Sequence, residues 1–234
     1  MIAITHLYIL SIDDVSSISV EELLPLVSEE KRTKLRKFHR QEDLLRGLWA
    51  DLLLRKLIIE NLQLANSQIT FEYGAYGKPR VCGNHPFHYN ISHSGKWVAC
   101  ILDSQPVGVD VEHMQAFDES LVLTLFAQEE YRYIMEEADS RLRQLRFYQL
   151  WTAKESYMKA IGLGLSLPLH TFSVITPEGV EGAKRIQGED WFLKSYPVDP
   201  AYSFTSCSKS LASWDSMEIA QPSQILEIVR SVSS

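Results

Sequence analysis

The chain lacks the features of a membrane or secreted protein. Its 234 residues contain no run of about eighteen apolar residues, the length from which a membrane-spanning helix is suspected. The first segment, Met1–His6, has neither the charged region nor the cleavage site of a signal peptide. Cysteine is scarce: Cys82, Cys100 and Cys207 form an odd count without metal-like spacing, which favours buried thiols over disulfides. We therefore expect a cytoplasmic protein.

Basic residues are also fewer than acidic ones. Asp and Glu number 30 against 23 Lys and Arg, which gives a net charge of −7. A chain this acidic is not a general binder of nucleic acid or of anionic membranes. One stretch is nevertheless densely basic, and it contains Lys31, Arg32, Lys34, Arg36, Lys37, His39, Arg40 and Arg46. Such a stretch is either a solvated helix face or a place where phosphates bind.

Hydrophobic residues recur with both the strand and the helix period, so the sequence predicts an α+β fold. With 45% hydrophobic residues, the chain can bury a sizeable core in one large domain or two small ones. Strands are expected near 2–12, 69–73, 87–92, 98–102, 107–112, 172–175, 191–196 and 201–207, and helices near 41–61, 120–138 and 141–161. The polar, proline-ended segment Asp103–Pro106 is the best linker candidate, and it divides the chain into halves 1–104 and 105–234.

One predicted strand carries two carboxylates on the same face. In Gly108–Glu112, valines alternate with Asp110 and Glu112, so the period of two places the valines on one face and both acids on the other. The same alternation is also common in a strand that packs one face on the core and exposes the other face to solvent. The pattern alone therefore predicts either a solvated face or a pair of oxygen ligands.

A predicted helix supplies a third carboxylate and two cations. Trp151, Glu155 and Lys159 fall at i, i+4 and i+8 on one face, and Lys154 is adjacent in sequence. Three carboxylates with no Cys or His ligand nearby suit a hard cation such as Mg²⁺, and lysines suit the phosphates that such a metal carries. The simpler alternative is an ordinary surface ion pair between Glu155 and Lys159.

Two further segments change that balance. Tyr76–Pro79 reads Y-G-K-P and Asn90–Gly95 reads N-I-S-H-S-G. Together with the acidic strand and the W-T-A-K-E-S-Y-M-K helix, in this order, they resemble the signatures of the Sfp-type 4′-phosphopantetheinyl transferases. The resemblance runs from about Ser28 to Tyr202. It implies an α+β fold of two similar halves related by a pseudo-twofold axis, with the active site in the cleft between them.

The resemblance also implies a role for each motif. The basic stretch and the Ser-His pair would contact the phosphates of coenzyme A, the Y-G-K-P turn its adenine, and the helix lysines its pyrophosphate. The implied contacts are Lys31, Lys34, Arg36, Arg46, Tyr76, Gly77, Lys78, Pro79, Ser92, His93, Lys154 and Lys159. Asp110, Glu112 and Glu155 would bind Mg²⁺. Gly47 departs from the pattern, since relatives often carry a phosphate-binding threonine there.

The general base implied by the resemblance is Glu130. The segment Phe126–Tyr131 resembles the family's F-(S/T)-x-x-E-Y, which places the functional carboxylate immediately before the tyrosine. Catalysis would then rest on Glu130, Lys154 and Lys159. Ala127 replaces the usual hydroxyl residue, so we expect the helix to begin without a side-chain cap, at a cost of about 1 kcal/mol. The alternative is that Glu129 and Glu130 are first-turn acids favoured by the helix dipole.

The implied reaction is the Mg²⁺-dependent transfer of 4′-phosphopantetheine from coenzyme A to a serine of an apo acyl- or peptidyl-carrier protein, releasing adenosine 3′,5′-bisphosphate. Carriers of this kind serve fatty-acid, polyketide and nonribosomal peptide synthesis. The alternatives are a Mg²⁺-dependent phosphodiesterase or nucleotide phosphatase, and a coenzyme A-binding module without turnover. Because both halves lie in one chain, we expect an active monomer. We expect the carrier to dock near Phe117 and Leu165, on a small apolar patch.

Overall fold

The structure is a computed structural model and describes residues 5–209 and 217–231. Within these ranges the chain forms ten strands and seven α-helices. The first eight elements are β1 (His6–Ser11), α1 (Val20–Leu23), α2 (Glu29–Leu35), α3 (Gln41–Leu62), β2 (Phe71–Tyr73), β3 (Pro79–Val81), β4 (His88–Ser94) and β5 (Trp97–Asp103). The others are β6 (Val107–His113), α4 (Val122–Leu125), α5 (Gln128–Met135), α6 (Ser140–Ile161), β7 (Gly182–Ile186), β8 (Glu189–Ser195), β9 (Tyr202–Ser208), β10 (Met217–Ile219) and α7 (Pro222–Ser231).

Two four-stranded sheets organise the fold. The first has the order β10-β1-β5-β4 and the second the order β6-β9-β8-β7, while β2 and β3 form a separate hairpin. Each sheet is packed against one helix of 22 residues, α3 on the first and α6 on the second. The predicted α+β class is thus confirmed. The first predicted strand begins at residue 2, and its residues 2–4 lie outside the described residues.

The predicted division at 105–234 is wrong at its C-terminal end. Strand β10 pairs in parallel with β1, with Leu7 opposite Met217, and so extends the first sheet rather than the second. Helix α7 follows it, and its Ile225 and Val229 are buried in the core of the first half. The end of the chain therefore returns to the N-terminal half. A linear reading places a boundary at a linker, but it cannot detect a pairing between segments two hundred residues apart.

The valines of β6 join the two sheets. Val107, Val109 and Val111 are fully or almost fully buried, in one apolar cluster with Leu7 and Ile101 of the first sheet. The alternating residues face α6 instead, where a Cβ added to Gly108 would lie 2.0 Å from the Ser156 carbonyl oxygen. The predicted two-faced strand is confirmed. Strand β6 and helix α6 approach each other so closely that only glycine fits at residue 108. This close approach brings the functional side chains of the two elements together.

Candidate active site

Strands β4 and β6 meet at the edges of the two sheets, and side chains connect them. Every second residue of the N-I-S-H-S motif accepts a hydrogen bond from a backbone amide of β6. The pairs are Asn90 Oδ1 with Val109 at 2.9 Å, Ser92 Oγ with Val111 at 3.3 Å, and Ser94 Oγ with His113 at 3.0 Å. The motif thus satisfies amides that an edge strand would otherwise leave unpaired. Asn90 and Ser94 were not among the predicted site residues, although their period-two spacing was a signal for this role.

The predicted carboxylates converge beside this junction. Asp110 Oδ1 accepts from Lys159 Nζ at 2.5 Å and from Ser92 Oγ at 3.0 Å, and Glu112 Oε2 accepts from Ser94 Oγ at 2.9 Å. Glu155 lines the same cleft, which has a volume of about 560 Å³. The three predicted carboxylates therefore line one cleft. That these groups bind a metal stays a prediction.

The electrostatics of the three carboxyl groups favour an added cation. Burial raises the pKa of Asp110, despite its contact with the Lys159 ammonium. Burial, and then the negative charge of Asp110, raise the pKa of both Glu112 and Glu155. The negative charge of Asp110 therefore makes ionisation of Glu112 and Glu155 harder, and a bound cation would remove that penalty.

The donor set fits a hard metal ion. Asp110 Oδ2 is buried and has no hydrogen-bond partner among the described residues, so one carboxylate oxygen remains free for a ligand. The other available donors are carboxylate oxygens, the type that Mg²⁺ prefers. In the described part of the chain, no three Asp, Glu, His or Cys side chains lie close enough to bind one ion together as they stand. Metal binding would accordingly require these side chains to move closer together.

Basic side chains share the cleft with the carboxylates. Lys31, His93 and Lys159 all line it. Burial lowers the pKa of His93, and the positive charges of Arg46 and Lys31 lower it further, so its imidazole is neutral at pH 7. Burial also lowers the pKa of Lys31. An anionic ligand would relieve the crowding of these positive charges.

The other predicted phosphate contacts differ in position. Lys34 lines a pocket next to the cleft, and its ammonium lies 2.7 Å from Glu30 Oε1. Arg36 is exposed at the end of α2. Arg46 is already bonded to the Gly95 carbonyl and to Asp43. Arg46 acts electrostatically on His93 and so contributes positive charge to the cleft. Because its guanidinium group is already bonded, it has little freedom to bind a phosphate directly.

The residues of the Y-G-K-P turn also differ in what they contact. Pro79 lines the pocket that contains Lys34, and Gly77 adopts the positive φ of 82° that the turn requires. Tyr76 is exposed. The Lys78 side chain points away from this pocket and bonds to backbone carbonyls of the second half. The predicted adenine contact can therefore involve the backbone of the turn but not the Lys78 ammonium.

Glu130 and Lys154 do not line the cleft in this structure, so the contacts with substrate predicted for them are not made here, and their roles stay predictions. Both side chains are 0% exposed, and they form an ion pair of 2.6 Å inside the second half. Glu130 also accepts from the backbone amides of Ala127 and Val174, so it caps the helix start that Ala127 cannot cap. Lys154 donates to the Phe172 carbonyl. A general base must reach the proton that it removes, and a phosphate ligand must reach the phosphate.

The glycine at position 47 has a steric reason. A Cβ added there would lie 2.9 Å from Leu35 Cδ2, because α2 and α3 pack closely at this point. A larger residue at this position would require the Leu35 side chain to move. Leu35 belongs to α2, the helix that also carries Lys31 and Lys34.

Comparison with known proteins gives consistent matches over most of the chain. The model of the 4′-phosphopantetheinyl transferase superfamily matches residues 106–205, and that of the N-terminal part of a 4′-phosphopantetheinyl transferase matches residues 16–105. The chain is 38% identical over 192 residues to 4′-phosphopantetheinyl transferase Sfp of Bacillus subtilis, covering 80% of this chain and 84% of that one. It is 32% identical over 215 residues to 4′-phosphopantetheinyl transferase psf-1 of Bacillus pumilus, with 91% and 92% covered. A putative 4′-phosphopantetheinyl transferase of Synechocystis is 34% identical over 183 residues, with 74% and 73% covered.

Proposed function

The chain belongs to the 4′-phosphopantetheinyl transferase superfamily, and we propose that it transfers 4′-phosphopantetheine from coenzyme A to a serine of an apo acyl- or peptidyl-carrier protein. The observation that carries this proposal is the cleft lined by three carboxylates together with Lys31, His93 and Lys159. Acidic and basic groups in one cleft suit a metal-bound pyrophosphate. Adenosine 3′,5′-bisphosphate would be the second product.

The residues of the cleft would have different roles in the transfer. Lys159 and Lys31 would make charge-assisted hydrogen bonds to the pyrophosphate oxygens, and Ser92 would hold Asp110 and Lys159 in register. A Mg²⁺ ion bound by Asp110, Glu112 and Glu155 would polarise the phosphate oxygens as a Lewis acid. The protein mainly has to align the carrier serine with the phosphorus under attack. With Glu130 buried as it is in this structure, the serine proton would pass to a group that lines the cleft or to water.

We also propose a location and an oligomeric state for the enzyme. Residues of both halves of the chain line the cleft, and we propose that the enzyme is active as a monomer. Cys82, Cys100 and Cys207 are free thiols, as in a reducing compartment, and we propose that the enzyme works in the cytoplasm. No helix in the described residues is both long and apolar enough to cross a bilayer.

Intact-mass measurement of an apo-carrier protein tests the proposal. With coenzyme A and Mg²⁺, the carrier should gain the mass of one phosphopantetheinyl group, and a carrier whose acceptor serine is replaced by alanine should gain none. A carrier that remains unmodified while coenzyme A is hydrolysed would favour the phosphodiesterase alternative. An unmodified carrier with intact coenzyme A would favour the binding module.

Lys31→Met should weaken coenzyme A binding selectively. Lys31 is part of the cleft wall, so its loss removes a charged hydrogen bond, and we expect the KM for coenzyme A to rise roughly tenfold. The KM for the carrier should not change. Lys37→Met is the matched control, since Lys37 lies in the same basic stretch but is exposed outside the cleft. Steady-state kinetics with each substrate varied in turn would check this, and equal effects of the two substitutions would contradict it.

The exposed apolar residues of the second half offer a docking face for the carrier. Leu121 and Leu123 are 46% and 69% exposed, and Leu123 borders a groove lined by Phe126, Tyr131 and His170. Phe117, in contrast, is partly buried and stacks on Phe147 with ring centroids 4.1 Å apart. The structure therefore places Phe117 against the core rather than on a docking patch. The side chain of Leu165 lies outside the described residues.

Leu123→Asp should raise the KM for the carrier severalfold and leave the KM for coenzyme A unchanged. The reason is that a charge replaces exposed apolar surface where the partner would pack. Leu142→Asp serves as the control, since Leu142 is equally apolar and 48% exposed but lies in the first turn of α6. Steady-state kinetics that show both carrier KM values unchanged would place the docking face elsewhere.

A further inference from the structure

Lys78 connects the two halves of the molecule from an unexpected position. It ends the turn Gly74–Lys78, whose backbone is closed by hydrogen bonds from Gly77 N to Gly74 O at 2.9 Å and from Gly74 N to Lys78 O at 3.0 Å. The backbone carbonyl of Lys78 thus accepts its hydrogen bond within the first half. Its side chain leaves the turn and crosses to the second half.

Three carbonyl oxygens of the second half receive the Lys78 ammonium. Its Nζ donates to Val107 O at 3.1 Å, to Lys159 O at 2.6 Å and to Ala160 O at 2.9 Å. These contacts use all three protons of the ammonium group. Burial lowers its pKa to about 8, so the group still carries its charge at neutral pH. Two of the acceptors are end-of-helix carbonyls of α6, which a cation stabilises.

The three acceptors belong to the two elements that form the acidic side of the cleft. Val107 begins β6, which carries Asp110 and Glu112, and Lys159 lies one helical turn after Glu155 in α6. Lys159 is held at both ends, because its carbonyl binds Lys78 while its ammonium binds Asp110. The Lys78 ammonium therefore fixes the start of the strand relative to the end of the helix.

The turn that carries Lys78 also borders the binding pockets. Pro79, the next residue, lines the pocket that shares Lys31 and Ile91 with the cleft. A ligand that fills both spaces would contact the turn at one end and the carboxylates at the other. A change in the position of the turn would be transmitted through the Lys78 side chain to β6 and α6.

We propose that Lys78 is a positioning residue that couples binding of the nucleoside part of the donor at the turn to the alignment of β6 and α6 at the reacting phosphates. The inference deepens the proposed function and rests on it. The ammonium does not touch the substrate. Its effect on the reaction would be exerted through the backbone carbonyls of Val107, Lys159 and Ala160.

The test compares two phosphopantetheine donors in the wild type and in Lys78→Met. The donors are coenzyme A and 4′-diphosphopantetheine, which lacks the adenosine. For each protein, kcat with coenzyme A is divided by kcat with the shorter donor. We expect this ratio to be roughly tenfold smaller in Lys78→Met, the size expected when a charged hydrogen-bonding group is lost. A merely structural role would lower both kcat values by one factor, and an unchanged ratio overturns the proposal.

Lys184→Met is the matched control. Lys184 is another buried lysine, whose Nζ donates to Thr176 Oγ1 at 2.8 Å and to Gly179 O at 2.7 Å, away from the cleft. Its replacement should lower Tm and leave the donor ratio unchanged, and an equal fall in that ratio would overturn the proposal. If Lys78→Met does not fold, Lys78→Gln is judged by the same ratio. A wild type that modifies no carrier overturns the proposed function and the coupling with it, whereas an unchanged ratio in Lys78→Met beside an active wild type overturns only the coupling.

Discussion

Asp110→Ala, Glu112→Ala and Glu155→Gln should each lower kcat for transfer by at least about 100-fold, because loss of a metal ligand should cost no less than loss of its outer-shell partners. The fold should survive. Without metal, the negative charge of Asp110 raises the pKa of both Glu112 and Glu155, so removal of one carboxylate relieves repulsion. Activity should therefore fall far more than Tm. Near-normal turnover in two of the three variants at saturating Mg²⁺ would contradict the metal assignment.

A thermal-shift titration separates metal binding from catalysis. A ligand that binds only the folded state raises Tm by an amount that grows with the logarithm of its concentration above Kd, so Mg²⁺ should stabilise the wild type. The same titration should produce little shift in Glu155→Gln. Glu136→Gln is the control, since Glu136 is an exposed acid of the same half outside the cleft, and it should respond like the wild type. Equal shifts in all three proteins would mean that Mg²⁺ binds elsewhere.

Lys154→Met should reduce the free energy of unfolding by about 3–5 kcal/mol, since it leaves a buried carboxylate without its partner. Lys154 and Glu130 are 0% exposed and 2.6 Å apart, and the Lys154 ammonium also lies 4.2 Å from the centre of the Phe172 ring. Burial raises the pKa of Glu130 and lowers that of Lys154, so each ion depends on the other. Urea unfolding at pH 7 measures the loss.

The double variant Glu130→Gln, Lys154→Met distinguishes a structural pair from a catalytic one. If the two groups act as a buried pair, neutralising both should recover part of the stability lost in Lys154→Met. The expected coupling between the two sites is well above that of an exposed pair such as Arg185 with Asp190. Single variants that keep full stability but lose transfer would instead restore Glu130 as the base.

The sequence predicted the local geometry of the site because that geometry follows from backbone periods. Alternation in β6 placed Asp110 and Glu112 on the face opposite the valines, and helical spacing placed Glu155 and Lys159 on one face of α6. Lys154 was misplaced because consecutive helical residues are about 100° apart, so it points into the core while Glu155 points into the cleft.

Other features depend on contacts that no local pattern contains. The Lys78 side chain finds its acceptors 29 to 82 residues further along the chain. The pairing of β10 with β1 is set by the tertiary fold alone. The ion pair between Glu130 and Lys154 depends on how α5 packs against α6. Motif resemblance located Glu130 and Lys154 in the sequence. It could not show whether they face substrate or core.

The most direct test of the central claim is to measure both products in one reaction. With coenzyme A, Mg²⁺ and an apo-carrier, adenosine 3′,5′-bisphosphate should appear at the same rate as modified carrier, one molecule for each. Without carrier, or with its acceptor serine replaced by alanine, almost no bisphosphate should form. Release of bisphosphate that continues without an acceptor serine would show that water is the nucleophile, and would contradict the assignment of this cleft to carrier modification.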